Sequence, residues 1–506
     1  MNENFNYGKD TLTVDLALKI ARGQVKGIIT EETMQQVEKN FQAVQSILEG
    51  DQLVYSINTG FGSLCTTKIT PEESGHLQEN LLKSHSVGVG NRVDPEIAKL
   101  MLILKVHTLC KAYSGVSKEL IERICWHIES NYIPLIYEQG SVGASGDLAP
   151  LAHLFLPIIG LGFLTHDRTH YQPTREIFEE YNLKPLQLHA KEGLALINGT
   201  QFISAYSIKV IKDFMNCLEH ADIIGAFSLE AYLASPQPFN EQLIKSRPHP
   251  GALIVAENVR KLLSDSEYVE SHKNCGRVQD PYSIRCIPQV HGASRDALSH
   301  LKEIVERELN SITDNPLIFN KDFTVSGGNF HGQPLALPLD YVALAASEIG
   351  NISDRRTYLL LEGKWDLPPY LIEHSGLNSG FMIAQYCSAA LASENKSLCF
   401  PASADSIPTS MGQEDHVSMG SISARKALQV IQNLERILAI ELLCACQAFD
   451  FRKPLKSSII LEACHKYFRD KIPHIEEDTI LSDLIEQSKE IIQSAELLSI
   501  SKKLGY

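Results

Sequence analysis

The chain has few tryptophans, two in 506 residues, and it has no excess of positive charge and no long uncharged apolar run. Lysine and arginine together number 46 against 61 aspartates and glutamates, a net charge of −15. No basic block offsets that balance, which argues against a nucleic-acid partner. The longest apolar stretch, Phe155 to Leu164, is short and carries Pro157, so no membrane span is expected. The first residues, MNENFNYGKD, contain neither a basic region nor an apolar core of the kind that directs secretion, so cytoplasmic residence is expected. Eleven cysteines include no CxxC pair, and the nearest two, Cys444 and Cys446, sit inside an apolar helical run. An odd number of thiols in a long, unsecreted chain predicts reduced and mostly buried cysteines. No HExxH occurs and the 18 histidines show no ligand spacing, so no metal is expected. No internal repeat is visible, which excludes a solenoid.

What the sequence does have is helical periodicity. Ala427, Ile431, Leu434, Leu438 and Leu442 recur at the spacing of one helix face, with Arg425, Glu435 and Arg436 off it. Leu339 to Leu361 and Met382 to Leu398 read as long helices, whereas strand-like alternation is confined to pieces such as Leu53 to Ile57. The expected fold is mostly α, a bundle of long helices running roughly parallel and antiparallel. Polar loops interrupt it: YSINTGFG, SHSVGVG, NGTQ at Asn198, VQDPYSIR at Val278, SGGNFHG at Ser326 and GQEDHVS at Gly412. Any one of these is an ordinary turn, but together they gather Tyr, His, Asn, Gln, Arg and Glu where a rigid frame tends to carry function.

One loop is unusual for its smallness: GSVGASGDLAPLAHL, starting at Gly140. Asp147 can cap a helix that starts at Leu148, with Pro150 tolerated in its first turn. Ser145 then stands just ahead of a helix N-terminus, where free N–H groups favour negative charge. A phosphate loop would end in GK[ST], and here there is no lysine. A GxSxG nucleophile elbow fails because Asp147 occupies the place of the last glycine. Two readings stay open. One is a plain tight turn. In the other, the Gly146 nitrogen attacks the Ala144 carbonyl and closes a five-membered ring around Ser145. Water leaves the ring, and the Ser145 hydroxyl leaves as a second water. That reaction needs a glycine as nucleophile and a small residue at 144, and its product is a protein-made electrophile above a helix end.

The stretch GSVGASGDLAPLAHL resembles the signature of the aromatic amino acid ammonia-lyases. VYSINTGFG, NLLKSHSVGVG, KEGLALINGTQ, VQDPYSIRC, SGGNFHG, LNSGFMIAQ and EDHVSMG resemble that family too, in the family's order, from about residue 54 to residue 420. The resemblance implies that Ala144, Ser145 and Gly146 form a methylidene-imidazolone (MIO) autocatalytically, with no pyridoxal phosphate and no metal required. It implies an N-terminal, loop-rich, MIO-bearing domain over 1–200 and a long-helix domain over 201–506 that forms the core of a homotetramer with shared sites. Tyr55 matches the catalytic tyrosine, and Arg285 the arginine that binds the substrate carboxylate. Tyr282, Gln279 and Asn198 match hydrogen-bonding positions around the amine, the carboxylate and the MIO, and Phe330 an aromatic that packs over it. Substrate choice falls to His85, preceded by Ser84, and to Glu414. That pair matches the histidine-specific pattern of the family, and an imidazole offers a nitrogen to each. A phenyl ring would leave both groups unpaired. The implied reaction is loss of ammonia from L-histidine to give trans-urocanate. Gly412 departs from many relatives, at a place that varies in the family.

Overall fold

A computed structural model of the chain describes residues 4–50, 57, 59, 69–273 and 276–506. It is mainly helical, with twenty α-helices among the described residues. The backbone resolves into two compact units. The first comprises Met1–Lys209, Lys302–Leu339 and Pro401–Arg425, and the second Val210–Leu301, Asp340–Phe400 and Lys426–Tyr506. A single boundary at residue 200 therefore describes only the first crossing, because two later segments return to the N-terminal unit. Four of the five crossings fall within long helices, Gln201–Ala231, Ile287–Leu309, Gln333–Leu361 and Gly420–Asp450, and the fifth lies between Phe400 and Pro401.

Every strand among the described residues belongs to the first unit, in four small sheets. Val89–Arg92 pairs antiparallel with Tyr137–Gln139, Val89 opposite Gln139 and Arg92 opposite Tyr137. This pairing ties the SHSVGVG loop to the approach of the small-residue loop. The first unit also contains the helix Pro95–Leu109, whose residues from Leu100 to Leu109 are all buried, Lys105 among them.

The second unit is helical. The stripe Ala427, Ile431, Leu434, Leu438 and Leu442 is buried, as its spacing predicts, and Phe227 and Tyr268 pack on Phe449 with ring centroids 5.3 and 5.0 Å apart. Such packing of an apolar face, more than intrinsic propensity, holds long helices together. The helix Met382–Leu398 has the expected bounds. Its neighbour in sequence begins at Gln333, six residues before the expected Leu339, and includes Pro338. Leu335 and Ala336 are fully buried and their N–H groups both donate to the Gly332 carbonyl, so burial carries the helix back through the proline. Cys444 and Cys446 are buried free thiols, pushed above the usual thiol range by burial.

Candidate active site

The small-residue loop is held from several sides within the first unit. Ser145 has a left-handed backbone, φ 52°, and Gly146 follows at φ 84°. Left-handed serine is costly and persists only where its surroundings demand it. Here the demand comes from Gly199: Asp147 N donates to its carbonyl at 2.8 Å, and Gly199 N donates to Ser145 O at 3.3 Å. A Cβ on Gly146 would lie 2.2 Å from Gly199 O, and one on Gly143 would lie 2.3 Å from Ser418 Oγ. On the far side Met419 N donates to Val142 O, and the Ser421 hydroxyl to Ser141 O. The loop is thus packed so closely at Gly143 and Gly146 that neither position admits a side chain. The residues fit the group that the motif implies.

Asp147 behaves differently from the sequence expectation. The helix Leu148–Phe155 does start after it, but its side chain makes no cap bond there. One carboxylate oxygen instead accepts from Phe202 N and Ile203 N, each at 3.0 Å, capping the long helix Gln201–Ala231. That helix reaches the loop because Gly199, just before it, is bridged to Gly146, and its unsatisfied N–H groups make the stronger claim on a carboxylate.

Lys105 lies beneath, fully buried, donating to Asn198 O at 2.7 Å and Ala195 O at 3.1 Å. Burial pushes Lys105 down to about 7 and the Asp147 carboxyl up to about 7, the latter against its two backbone donors and Lys105. Burial also raises Glu308, which accepts from the Thr200 hydroxyl at 2.6 Å. Lys191 and Asp314 form a buried pair at 2.6 Å. Asn198 itself is buried, and among the described residues its Oδ1 has no hydrogen-bond partner. A buried acceptor left open is free to bond a ligand.

His85 ends the helix Pro71–His85. Its Nδ1 is 3.0 Å from Ser84 Oγ. Burial lowers its pKa, opposed by the Leu81 carbonyl and by the charge of Glu414, so the neutral ring is favoured and the two side chains are electrostatic neighbours. Glu414 is fixed by the Thr409 hydroxyl at 2.8 Å and by mutual backbone bonds with Thr409. The loop after His85 is anchored where Gly88 N donates to His153 Nε2 at 3.0 Å, on the helix that follows the small-residue loop. Gly332, two residues after Phe330, comes against Ser418, which also flanks Gly143. Phe330 itself is half-buried. The first unit therefore brings Ala144, Ser145, Gly146 and Asn198 into one cluster, sets His85 beside Glu414, and packs the SGGNFHG loop on the segment that flanks the cluster.

Gln279, Tyr282 and Arg285 gather in the second unit, on the short helix Tyr282–Arg285 and the loop before it. The Arg285 guanidinium stacks over the Tyr282 ring at 4.4 Å, and its buried Nε has no partner among the described residues. Arg285 and Gln279 line a cleft of about 750 Å³ with Arg247, His272, Lys273 and Arg277. Arg277 is already engaged by Asp280 at 3.1 Å and stacked on Trp365 at 4.1 Å. A cleft so rich in cations suits a carboxylate, which a guanidinium fork binds through two parallel bonds. Tyr55 lies outside the described residues, as does most of Leu53 to Ile57. Among the described residues there is no cluster of His, Cys, Asp and Glu able to hold a metal, and no helix long and apolar enough to cross a membrane.

Sequence reasoning missed Lys105, whose signal was a single lysine inside LMLILKVHTL, and the anchoring role of His153, which had no signal in its own motif.

Comparison with known proteins identifies the family. A family model described as aromatic amino acid lyase matches residues 12–470. A histidine ammonia-lyase of Sorangium cellulosum is 46% identical over 502 residues, covering 97% of this chain and 98% of that protein. The crystal structure of a histidine ammonia-lyase from Trypanosoma cruzi superposes with a TM-score of 0.90 at 40% identity, covering 99% of this chain and 95% of that one. A tyrosine aminomutase from Streptomyces globisporus superposes at 0.93 with 32% identity, covering 99% of both.

Proposed function

The chain belongs to the aromatic amino acid lyase family, and from that premise we propose that it eliminates ammonia from L-histidine to give trans-urocanate. The features that support the choice of substrate are His85 at the end of the helix Pro71–His85, its ring held toward the neutral form by burial, and Glu414, close enough for its charge to act on that ring. A neutral imidazole and a carboxylate offer complementary partners to the two nitrogens of a substrate imidazole. A phenylalanine or tyrosine ring would leave at least one of them dry and unpaired, which is costly.

The MIO formed from Ala144, Ser145 and Gly146 supplies an electrophile for the substrate amine. The chain's other residues bind, orient and move protons. Arg285 holds the carboxylate in its fork, assisted by Gln279. Tyr282 and Tyr55 are the phenols that exchange protons with the substrate, Tyr55 taking the weakly acidic β-proton. Asn198 Oδ1, open and buried, accepts from a group at the reacting centre. Phe330 covers the cluster. Fixing amine, carboxylate and ring at three separate anchor points turns an unfavourable encounter into a positioned one.

The two sets of residues belong to different units, and the proposed assembly is a homotetramer of D2 symmetry whose pockets each draw on more than one subunit. Exposed apolar residues at helical spacing support it: Leu337, Tyr341 and Leu344 on one long helix, Ile383 and Tyr386 on the next. Contiguous stripes of this kind mark association surfaces. The proposed setting is the cytoplasm.

Incubation with histidine, followed by ultraviolet absorbance of the conjugated acrylate, tests the reaction. Release of urocanate and ammonia is expected. Turnover of phenylalanine or tyrosine in preference, a β-amino acid product, or no turnover would instead point to another lyase, an aminomutase or an inactive scaffold. Intact mass should fall short of the encoded chain by two waters, mapped to the peptide containing Ala144 to Gly146. Co-expression of Tyr55→Phe with Ser145→Ala should restore part of the activity if those residues meet from different chains, and no recovery in mixed tetramers would place them in one chain.

A further inference from the structure

The second unit contains a buried charge network that ends on the substrate turn. Arg356 and Glu441 are fully buried and form a two-armed ion pair, Arg356 Nη2 to Glu441 Oε2 at 2.9 Å and Nε to the other oxygen. The Ser228 hydroxyl donates to that other oxygen at 2.7 Å. The remaining arm of the guanidinium, Nη1, reaches two acceptors. One is His291 Nε2 and the other the carbonyl of Ser283, each at 3.4 Å. His291 is oriented in turn by Asp222, whose Oδ1 lies 2.9 Å from Nδ1, and Asp222 also accepts from Arg295 and Asn258. Nδ1 therefore carries the proton and Nε2 is left as an acceptor.

Ser283 sits inside the four-residue helix that carries Tyr282 and Arg285. That turn satisfies its own carbonyls at Pro281 and Tyr282, through Arg285 N at 3.1 Å and Cys286 N at 2.9 Å. The Ser283 carbonyl points to Arg356 instead. So short a helix has little intrinsic stability, since it forms few bonds for the dihedrals it fixes. The Arg356 guanidinium gives that carbonyl a donor from outside the turn.

We propose that Arg356, locked by Glu441 and His291, is a positioning residue for substrate binding. Its hold on the Ser283 carbonyl sets the turn that presents Arg285, and hence the placement of the substrate carboxylate. The inference rests on the assignment of Arg285 as the carboxylate ligand.

Two variants test it. Arg356→Lys keeps the charge beside Glu441 but has no second arm for Ser283. The double variant Arg356→Met with Glu441→Leu removes both charges together and leaves no ion unpaired in the interior. Both should fold and keep the mass deficit at Ala144 to Gly146. In both, kcat/KM for histidine should fall about ten- to a hundredfold, carried mainly by KM. Inhibition by 3-(imidazol-4-yl)propanoate should weaken by a similar factor, while inhibition by imidazole, which has no carboxylate, should not change. Unaltered KM and propanoate inhibition would overturn the inference, and so would equal weakening of the two inhibitors. Arg285→Met separates the two levels. If it spares propanoate binding, the carboxylate assignment falls and this inference with it. If it abolishes propanoate binding while the Arg356 variants do not weaken it, only the positioning role falls.

Discussion

Two buried charge networks, one in each unit, are built on opposite rules. In the second unit opposite charges meet in matched pairs, Arg356 with Glu441 and Arg295 with Asp222. Burial alone would raise the Asp222 carboxyl, but Arg295 and His291 outweigh it and hold it below its ordinary value. The first unit also holds a matched pair, Lys191 with Asp314, but beneath the small-residue loop Lys105 donates to carbonyls and Asp147 accepts from backbone N–H groups, and burial drives both toward neutrality. The matched network fixes geometry, and the mismatched one leaves groups whose protonation and bonding are open to change. Chemistry belongs with the second kind, and the small-residue loop sits directly on it.

The largest expected effect comes from the loop itself. Ser145→Ala should lose at least about a thousandfold in kcat and show no mass deficit, with thermal unfolding close to that of the parent. Large destabilisation instead would mean that the loop is a structural element like the matched network. Glu441→Gln probes the other side. It leaves Arg356 buried without its counter-charge and should cost about 3–5 kcal/mol of stability in denaturant titrations. A cost below about 1 kcal/mol would show that the matched network is not what holds the second unit.

His85→Leu combined with Glu414→Gln should depress kcat/KM on histidine roughly a hundredfold and leave acetate binding nearly unchanged, since Arg285 is untouched. An undiminished preference for histidine over phenylalanine would break the assignment of specificity to the first unit. The smallest effect is one of slope. Lys105 holds its proton in the folded chain only up to about 7, against 10.5 as the ordinary value. Between those limits the unfolded chain binds more protons, so this residue makes stability rise with pH across that window and contributes most above it. Lys105→Met should flatten the rise. If the slopes of the two proteins coincide from pH 7 to 10, the lysine is charged in the fold and the contrast between the networks weakens.

Much of the site was legible in advance because its chemistry is written in contiguous motifs. Ala144 to Gly146, the His85 loop and the 278–286 segment each carry their own spacing. The helix Met382–Leu398 was legible from periodicity alone. The start of the helix at Gln333 was not, since Pro338 argues locally for a stop and only the burial of Leu335 and Ala336 overrides it. Asp147 read correctly as a helix start and incorrectly as that helix's cap, because the competing N-terminus at Phe202 comes 55 residues later. Arg356 and Glu441 were invisible for a related reason. Each is one polar residue on a long helix, and they become partners across 85 residues only when those helices pack.

The first unit is stitched from three separated stretches of chain, and this has a consequence for synthesis. The Ser141 carbonyl at the head of the small-residue loop waits for a hydroxyl 280 residues further along. At translation speeds of about 5–20 residues per second, that partner leaves the ribosome roughly 15–55 s after the loop does. Through that interval the nascent loop has no clamp on its far side. The far side of the loop is therefore completed only once the chain beyond residue 420 has been made.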